Sequence, residues 1–140
     1  MSLPIILISG PTAVGKSNFA LSLAAKTKGE IINADSMQVY KELKILTARP
    51  SDTDQKIVPH HLYGHVPAAK RYNVSEWCNQ MISIVKKNNQ KKILSIIVGG
   101  TGLYFDTFLN GIANIPNISE KYKEKSNKLL LNLGLKKFYN

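Results

Sequence analysis

Residues 10–17 read Gly10-Pro11-Thr12-Ala13-Val14-Gly15-Lys16-Ser17, and this stretch decides the fold. It satisfies the pattern G-x-x-x-x-G-K-[ST] at every fixed position. Glycines let the backbone curl so that successive N–H groups point inward at phosphate oxygens. A helix opening near Lys16 turns its positive end and unpaired N–H groups toward the same anion. Lys16 adds a full charge, and the Ser17 hydroxyl suits a Mg²⁺ ion. A glycine-rich turn with no ligand would leave Lys16-Ser17 unexplained. The flanks supply the required context. Pro4 to Ser9 is a short apolar, β-branched run that reads as a buried parallel strand, and from Lys16 to Lys26 the residues Phe19, Ala20, Leu23 and Ala24 recur at helical spacing.

Further along, Glu30 to Asn33 predicts a second strand ending at Ala34-Asp35, and His61 to Val66 a short third one. Residues 41–59 read as loop with one helical turn. Ser75 caps a predicted helix with Trp77, Met81, Ile84 and Val85 on one face, ending among Lys86-Lys87-Asn88-Asn89. Ile93 to Val98 is the clearest strand and runs into Gly99-Gly100-Thr101-Gly102. A short helix from Leu103 to about Asn110, a loop through Pro116 and a lysine-rich helix from about Ser119 complete the chain.

Strands alternating with helices predict an α/β fold of three layers around a parallel sheet, of the phosphate-loop NTPase type, forming one domain over residues 1–140. In such sheets ligands sit at the carboxyl ends of the strands. Three predicted strands empty into chemically loaded turns: Gly10 to Ser17, Asp35 to Tyr40, and Gly99 to Tyr104. Distant segments therefore converge on one rim.

Composition agrees. The chain has 140 residues, with 44% apolar and 20% charged side chains, which excludes wholesale disorder and collagen-like structure. A single cysteine, Cys78, excludes an intramolecular disulfide or a cysteine-built zinc site and suits a reducing cytosol. No apolar run approaches the ~20 residues that span a bilayer, and the apolar start lacks a basic leader, so a cytoplasmic protein is expected. The net charge is +10. Residues 1–85 carry nine basic and six acidic groups, whereas residues 86–140 carry ten and three. Polyanionic partners such as nucleic acid or phosphorylated metabolites fit this excess. Of the 19 basic residues, however, only Arg49 and Arg71 are Arg, the usual choice for bidentate phosphate contacts, so charge alone does not separate binding from solubility.

The loop does not say which phosphates it holds. A kinase or ATPase usually has a carboxylate after a neighbouring strand. The strand ending at Val98 has none, so Asp35 is the candidate, either as a magnesium ligand or as a general base. The plain alternative is a turn-forming Asp satisfied by local N–H groups.

At this point the chain resembles a known family, the tRNA dimethylallyltransferases (tRNA isopentenyltransferases, or IPP transferases). The residues that carry the likeness are the loop 10–17, Asp35-Ser36-Met37-Gln38-Val39-Tyr40, Thr47-Ala48-Arg49-Pro50, Pro59-His60-His61-Leu62 and Gly99-Gly100-Thr101-Gly102-Leu103-Tyr104, with Gly111-Ile112 and Ile115-Pro116. They follow the family's order over nearly the whole chain. The resemblance implies transfer of a dimethylallyl group from its diphosphate to N6 of an adenine beside the tRNA anticodon. Lys16, the loop amides of Gly10 to Ser17 and Mg²⁺ on Ser17 would stabilise the departing diphosphate. Asp35 would accept the amine proton, and Thr101 would orient the base or the diphosphate. Ser36, Met37 and Gln38 would line the adenine pocket together with Asp35 and Thr101, and Lys123 with Lys121, Lys125 and Lys128 would offer a tRNA-facing helix. The base must swing out of the anticodon loop to enter.

Some positions depart from the family pattern. Arg49 stands for a usual Lys, Leu46 for a usual Gly and Lys44 for a common Asp. His60 and His61 are adjacent, and adjacent side chains rarely converge on one ion, so a structural or RNA-facing role is expected. Trp77 is expected in the helix core and Cys78 as a passive thiol. Family members run well past Asn140, and the expectation is an N-terminal portion lacking the C-terminal half and its tRNA-gripping helical insertion. Such a portion would bind diphosphate with little or no transferase activity, as a monomer. The competing functions are a small P-loop nucleotide kinase or ATPase, and a non-catalytic tRNA- or nucleotide-binding fragment.

Overall fold

Every strand of the sheet runs parallel to its neighbours, as the βαβ pattern requires. The computed structural model describes residues 3–111 and 118–138. Strands β1 (Ile5–Ser9), β2 (Glu30–Asn33), β3 (His60–His61) and β4 (Ser95–Gly99) form one sheet in the order β1-β4-β2-β3. The register pairs Leu7 with Ile97, and Ile32 with Ile97 from the other side. Helices α1 (Lys16–Thr27), α2 (Asp52–Ile57), α3 (Val74–Gln90), α4 (Gly102–Asn110) and α5 (Glu120–Phe138) complete the described chain.

The two-residue period of the strands divides the core. Ile31, Ile96 and Val98 face one side and pack on Ala20 and Ala24 of α1, whose small side chains let the helix lie close to the sheet. Ile32 and Ile97 face the other side and pack on Trp77, Met81, Tyr104 and Phe105 of α3 and α4. Helix, sheet and helix make the three expected layers. All five residues of β4 are buried, consistent with its place between β1 and β2.

Five expectations shift. Strand β1, expected to be buried, lies at the edge of the sheet and has no buried residue. The third strand is only His60–His61, because Leu62 and Gly64 adopt left-handed φ values of 63° and 52° and bend the chain out of the sheet. Val66 returns only as an isolated bridge to Tyr40. The cap of α3 is Asn73, not Ser75: its Oδ1 accepts from the Glu76 N–H at 2.9 Å. Residues 41–59 hold more structure than one turn, namely a 3₁₀ turn at Lys41–Leu43 and α2, where Ser51 and Asp54 cap each other reciprocally. Strand β4 opens at Ser95 rather than Ile93, whose N–H instead closes the end of α3 on the Asn88 carbonyl. The predicted loop through Pro116 lies mostly outside the described residues.

Trp77 is core, as expected, but its indole N–H also donates to the Asn33 carbonyl at 2.7 Å, tying α3 to the end of β2. Cys78 is a free, half-buried thiol whose pKa burial pushes up, which makes it less reactive. Helix α5 has no buried residue, and Gly134 interrupts it with a φ of 70°. Among the described residues no helix is long and apolar enough to cross a membrane.

Candidate active site

The turn after β1 is tightly curled. Gly10, Ala13 and Gly15 take φ values of 155°, 64° and 90°, curling the backbone around its own N–H groups. Gly15 opens α1 with no side-chain cap and no acidic residue in the first turn, which leaves the helix N-terminus open to a negatively charged guest. Lys16 reaches back to the Pro11 carbonyl, Nζ donating at 2.6 Å.

The facing wall is the turn after β2. Asn33, fully buried, braces it from within: its Oδ1 accepts from the Asp35 N–H at 2.9 Å, and its Nδ2 donates to the carbonyls of Asp35 and Leu62 at 2.9 and 3.0 Å. Asp35 Oδ1 accepts from the N–H groups of Met37 and Gln38 at 2.8 and 3.3 Å. The turn-forming role is thus real, and it occupies one carboxylate oxygen; the other makes no hydrogen bond to a described residue.

Thr101, entering from the turn after β4, accepts the Ser36 N–H at 2.9 Å and donates toward Ser36 Oγ at 3.3 Å. Its own N–H donates to the Ala34 carbonyl at 3.1 Å. A Cβ on Gly99 would overlap the Ala34 backbone, so a glycine is needed for the two turns to meet.

Between these walls lies a cavity of about 330 Å³ into which Lys16, Ser17, Asp35 and Gln38 open, with Thr12, Ala13 and Gly15 beside them. The three turns do converge on one rim. Ser36 and Thr101 stand behind the wall, bonded to each other, while Met37 is about half exposed beside it. Gly10, Pro11 and Val14 shape the loop without lining the cavity. Lys123 lies outside it on α5, paired with Glu120 at 2.7 Å. Gln38 turns one amide N–H to the Thr47 carbonyl at 2.9 Å, which brings the 44–50 segment over the cavity.

Arg49 fastens the same segment, donating to the Tyr40 carbonyl at 3.1 Å with its guanidinium laid over Gly64. The departures at Lys44 and Leu46 leave the segment folded: Lys44 pairs with Asp52, and Leu46 is exposed.

Sequence reading missed Asn18, Thr47 and Tyr63 as lining residues. Asn18 lies one position past the motif, and only the Gln38–Thr47 bond brings Thr47 in. Tyr63 was read as strand, and the bend at Leu62 and Gly64 gave no signal beyond the glycine. His60 and His61 are edge-strand residues: His60 Nδ1 lies 2.9 Å from the Val58 carbonyl, and His61 Nε2 lies 2.7 Å from Glu30 Oε2. Burial lowers the pKa of His60, so it is neutral near pH 7.

Comparison with known proteins gives a consistent answer. The chain matches the family described as IPP transferase over residues 38–140 and that described as isopentenyl transferase over residues 3–63. It is 53% identical over 135 residues to the tRNA dimethylallyltransferase of Pelagibacter ubique, covering 96% of this chain and 43% of that protein. Among solved structures it resembles the full-length tRNA isopentenylpyrophosphate transferase of Bacillus halodurans, with a TM-score of 0.75 and 30% identity over 94% of this chain and 44% of that one. It also resembles a eukaryotic dimethylallyltransferase acting on tRNA, with a TM-score of 0.77 and 29% identity over 91% and 35% of the two chains. The chain therefore spans less than half the length of the curated relatives it matches. A glycine-lysine loop, an aspartate turn and a glycine-threonine turn around one cavity, with matches across nearly the whole sequence, place the chain in the IPP transferase family.

Proposed function

We propose that this chain carries the catalytic core of a tRNA dimethylallyltransferase, moving a dimethylallyl group from dimethylallyl diphosphate to N6 of an adenine next to the tRNA anticodon. One observation carries the reading: Asp35, with one carboxylate oxygen that no described residue engages, and the glycine loop with its Lys16 line the same cavity. In this reading the diphosphate rests on the N–H groups of Gly10 to Ser17, and Lys16 leaves the Pro11 carbonyl to meet it. The N6 lone pair attacks the allylic C1. The C1–O bond breaks, and its electron pair leaves with the diphosphate, whose growing charge Lys16 and the loop amides stabilise. The N6 proton passes to the free oxygen of Asp35, while the two N–H groups on the other oxygen hold the carboxylate in place.

Thr101 acts through Ser36 as a positioning residue, fixing the turn that bears Asp35. Gln38, Ser36 and Met37 border the space for the adenine. Ser17 fits Mg²⁺, since it lines the cavity and its hydroxyl is a hard oxygen donor with no hydrogen bond to a described side chain. A bound ion would neutralise diphosphate charge there. Lys123 would meet tRNA phosphate by exchanging its exposed Glu120 pairing, which is worth little in water. In this reading the chain acts in the cytoplasm as a monomer.

The test compares dimethylallyl diphosphate with ATP, in binding and in single-turnover transfer to tRNA, for the wild-type chain and Asp35→Asn. The expected result is preference for the allylic diphosphate, with affinity unchanged in Asp35→Asn and the low transfer of the wild-type chain abolished. ATP hydrolysis without prenyl transfer would favour a kinase or ATPase. Retained tRNA binding with neither reaction would favour a binding fragment. Equal loss of binding and transfer in Asp35→Asn would make Asp35 a metal ligand or a structural group.

A further inference from the structure

Tyr63 lines the cavity, yet neither the sequence motifs nor the reaction just described has a use for it. It sits between left-handed Leu62 and Gly64, and the chain on both sides of it is tied to the Asp35 turn. Asn33 Nδ2 donates to the Leu62 carbonyl at 3.0 Å, and the Gly64 N–H donates to the Gln38 carbonyl at 2.9 Å. The double bend carries the Tyr63 ring edge-on against His60, with ring centroids 5.5 Å apart, and packs it against the core on the α1 side of the sheet. From there it lines the cavity together with Lys16, Ser17 and Asp35. Its hydroxyl makes no hydrogen bond to any described residue.

We propose that Tyr63 is a further ligand-binding residue, its hydroxyl donating a hydrogen bond to a phosphoryl oxygen of the molecule held by the glycine loop. The ring is anchored by packing and by two pinned neighbours, so little entropy is lost when the O–H finds an acceptor. Burial, and then the Asp35 carboxylate, push the phenol well above its ordinary range, which keeps the proton on the oxygen throughout the neutral range. A neutral donor complements main-chain N–H groups and Lys16 around phosphate oxygens. Phenylalanine preserves the ring and removes only the donor.

This inference rests on the reading that the cavity takes a diphosphate, and the experiment separates the two. Inorganic pyrophosphate is titrated by calorimetry into the wild-type chain and Tyr63→Phe, with adenosine as a second probe and thermal unfolding as a check on folding. The expected result is a loss of pyrophosphate affinity of about five- to tenfold in Tyr63→Phe, equal at pH 6.5 and 8.5, with adenosine binding and melting temperature unchanged. Equal pyrophosphate affinity in the two proteins overturns the role of Tyr63 and leaves the diphosphate reading standing. A loss confined to adenosine also overturns it, by making the hydroxyl a base contact. No pyrophosphate binding by the wild-type chain removes both readings. Should Tyr63→Phe fail to fold, wild-type protein carrying ¹³Cζ-tyrosine answers instead: the Tyr63 resonance moves on pyrophosphate addition if the hydroxyl is engaged, and an unmoved resonance overturns the proposal.

Discussion

The two walls of the cavity are made in opposite ways. The glycine loop is exposed over most of its length and held across by one lysine-to-carbonyl bond, and nothing lies within 4 Å of a Cβ built on Gly15. The Asp35 turn is braced from three strands' worth of chain: Asn33 and Trp77 beneath it, Thr101 beside it, and the backbone of Gly64 bonded to Gln38. One wall is open and presents donors that an anion would satisfy. The other is closed on itself and presents an Asp35 oxygen that no described residue engages. This division suits a site in which the ligand organises the loop while the protein organises the base.

The contrast is most easily broken at Gly99. Its missing Cβ is what lets the β4 turn touch Ala34, so Gly99→Ala must push two backbones apart. Denaturant unfolding should show a loss of about 3 kcal/mol, the upper range for overpacking. A loss below ~1 kcal/mol would mean the closed wall has slack. Next comes Lys16→Ala, which removes the one charge on the open wall. Pyrophosphate affinity should fall roughly 30-fold, in line with about 2 kcal/mol for a hydrogen bond to a charged group, while unfolding stays unchanged. A large drop in stability would show that the Lys16–Pro11 bond supports the fold, contrary to the contrast drawn here. The smallest effect is expected at Gly15→Ala. There the space is free and only the left-handed φ of 90° is strained, so unfolding should cost about 1–2 kcal/mol. If Gly15→Ala were as costly as Gly99→Ala, the two walls would not differ in kind.

Much of this was legible from the chain. The loop 10–17 announced itself because phosphate binding demands fixed residue types at fixed spacing, and the strand before it and helix after it were plain from periodicity. Asp35 and the Gly99-Gly100-Thr101 turn followed as the ends of strands pointing the same way. The errors fell where local signals compete. Ser75 and Asn73 are both good caps two residues apart, and only the path of the preceding chain selects Asn73. The run His61 to Val66 is strand-like in composition, yet Leu62 adopts a conformation that no apolar residue advertises. That one misreading hid Tyr63.

The sequence by itself determined the glycine-rich loop and the helix it opens, the parallel α/β class and the aspartate at the end of the second strand, because each depends on residue types within a few positions of one another. Tertiary structure alone decided which Asp35 oxygen the turn engages, that Thr101 grips Ser36, that Gln38 reaches Thr47, and that a tyrosine enters the cavity. Those outcomes depend on hydrogen bonds and packing between segments up to 65 residues apart. No local preference encodes them until the sheet has brought the segments together.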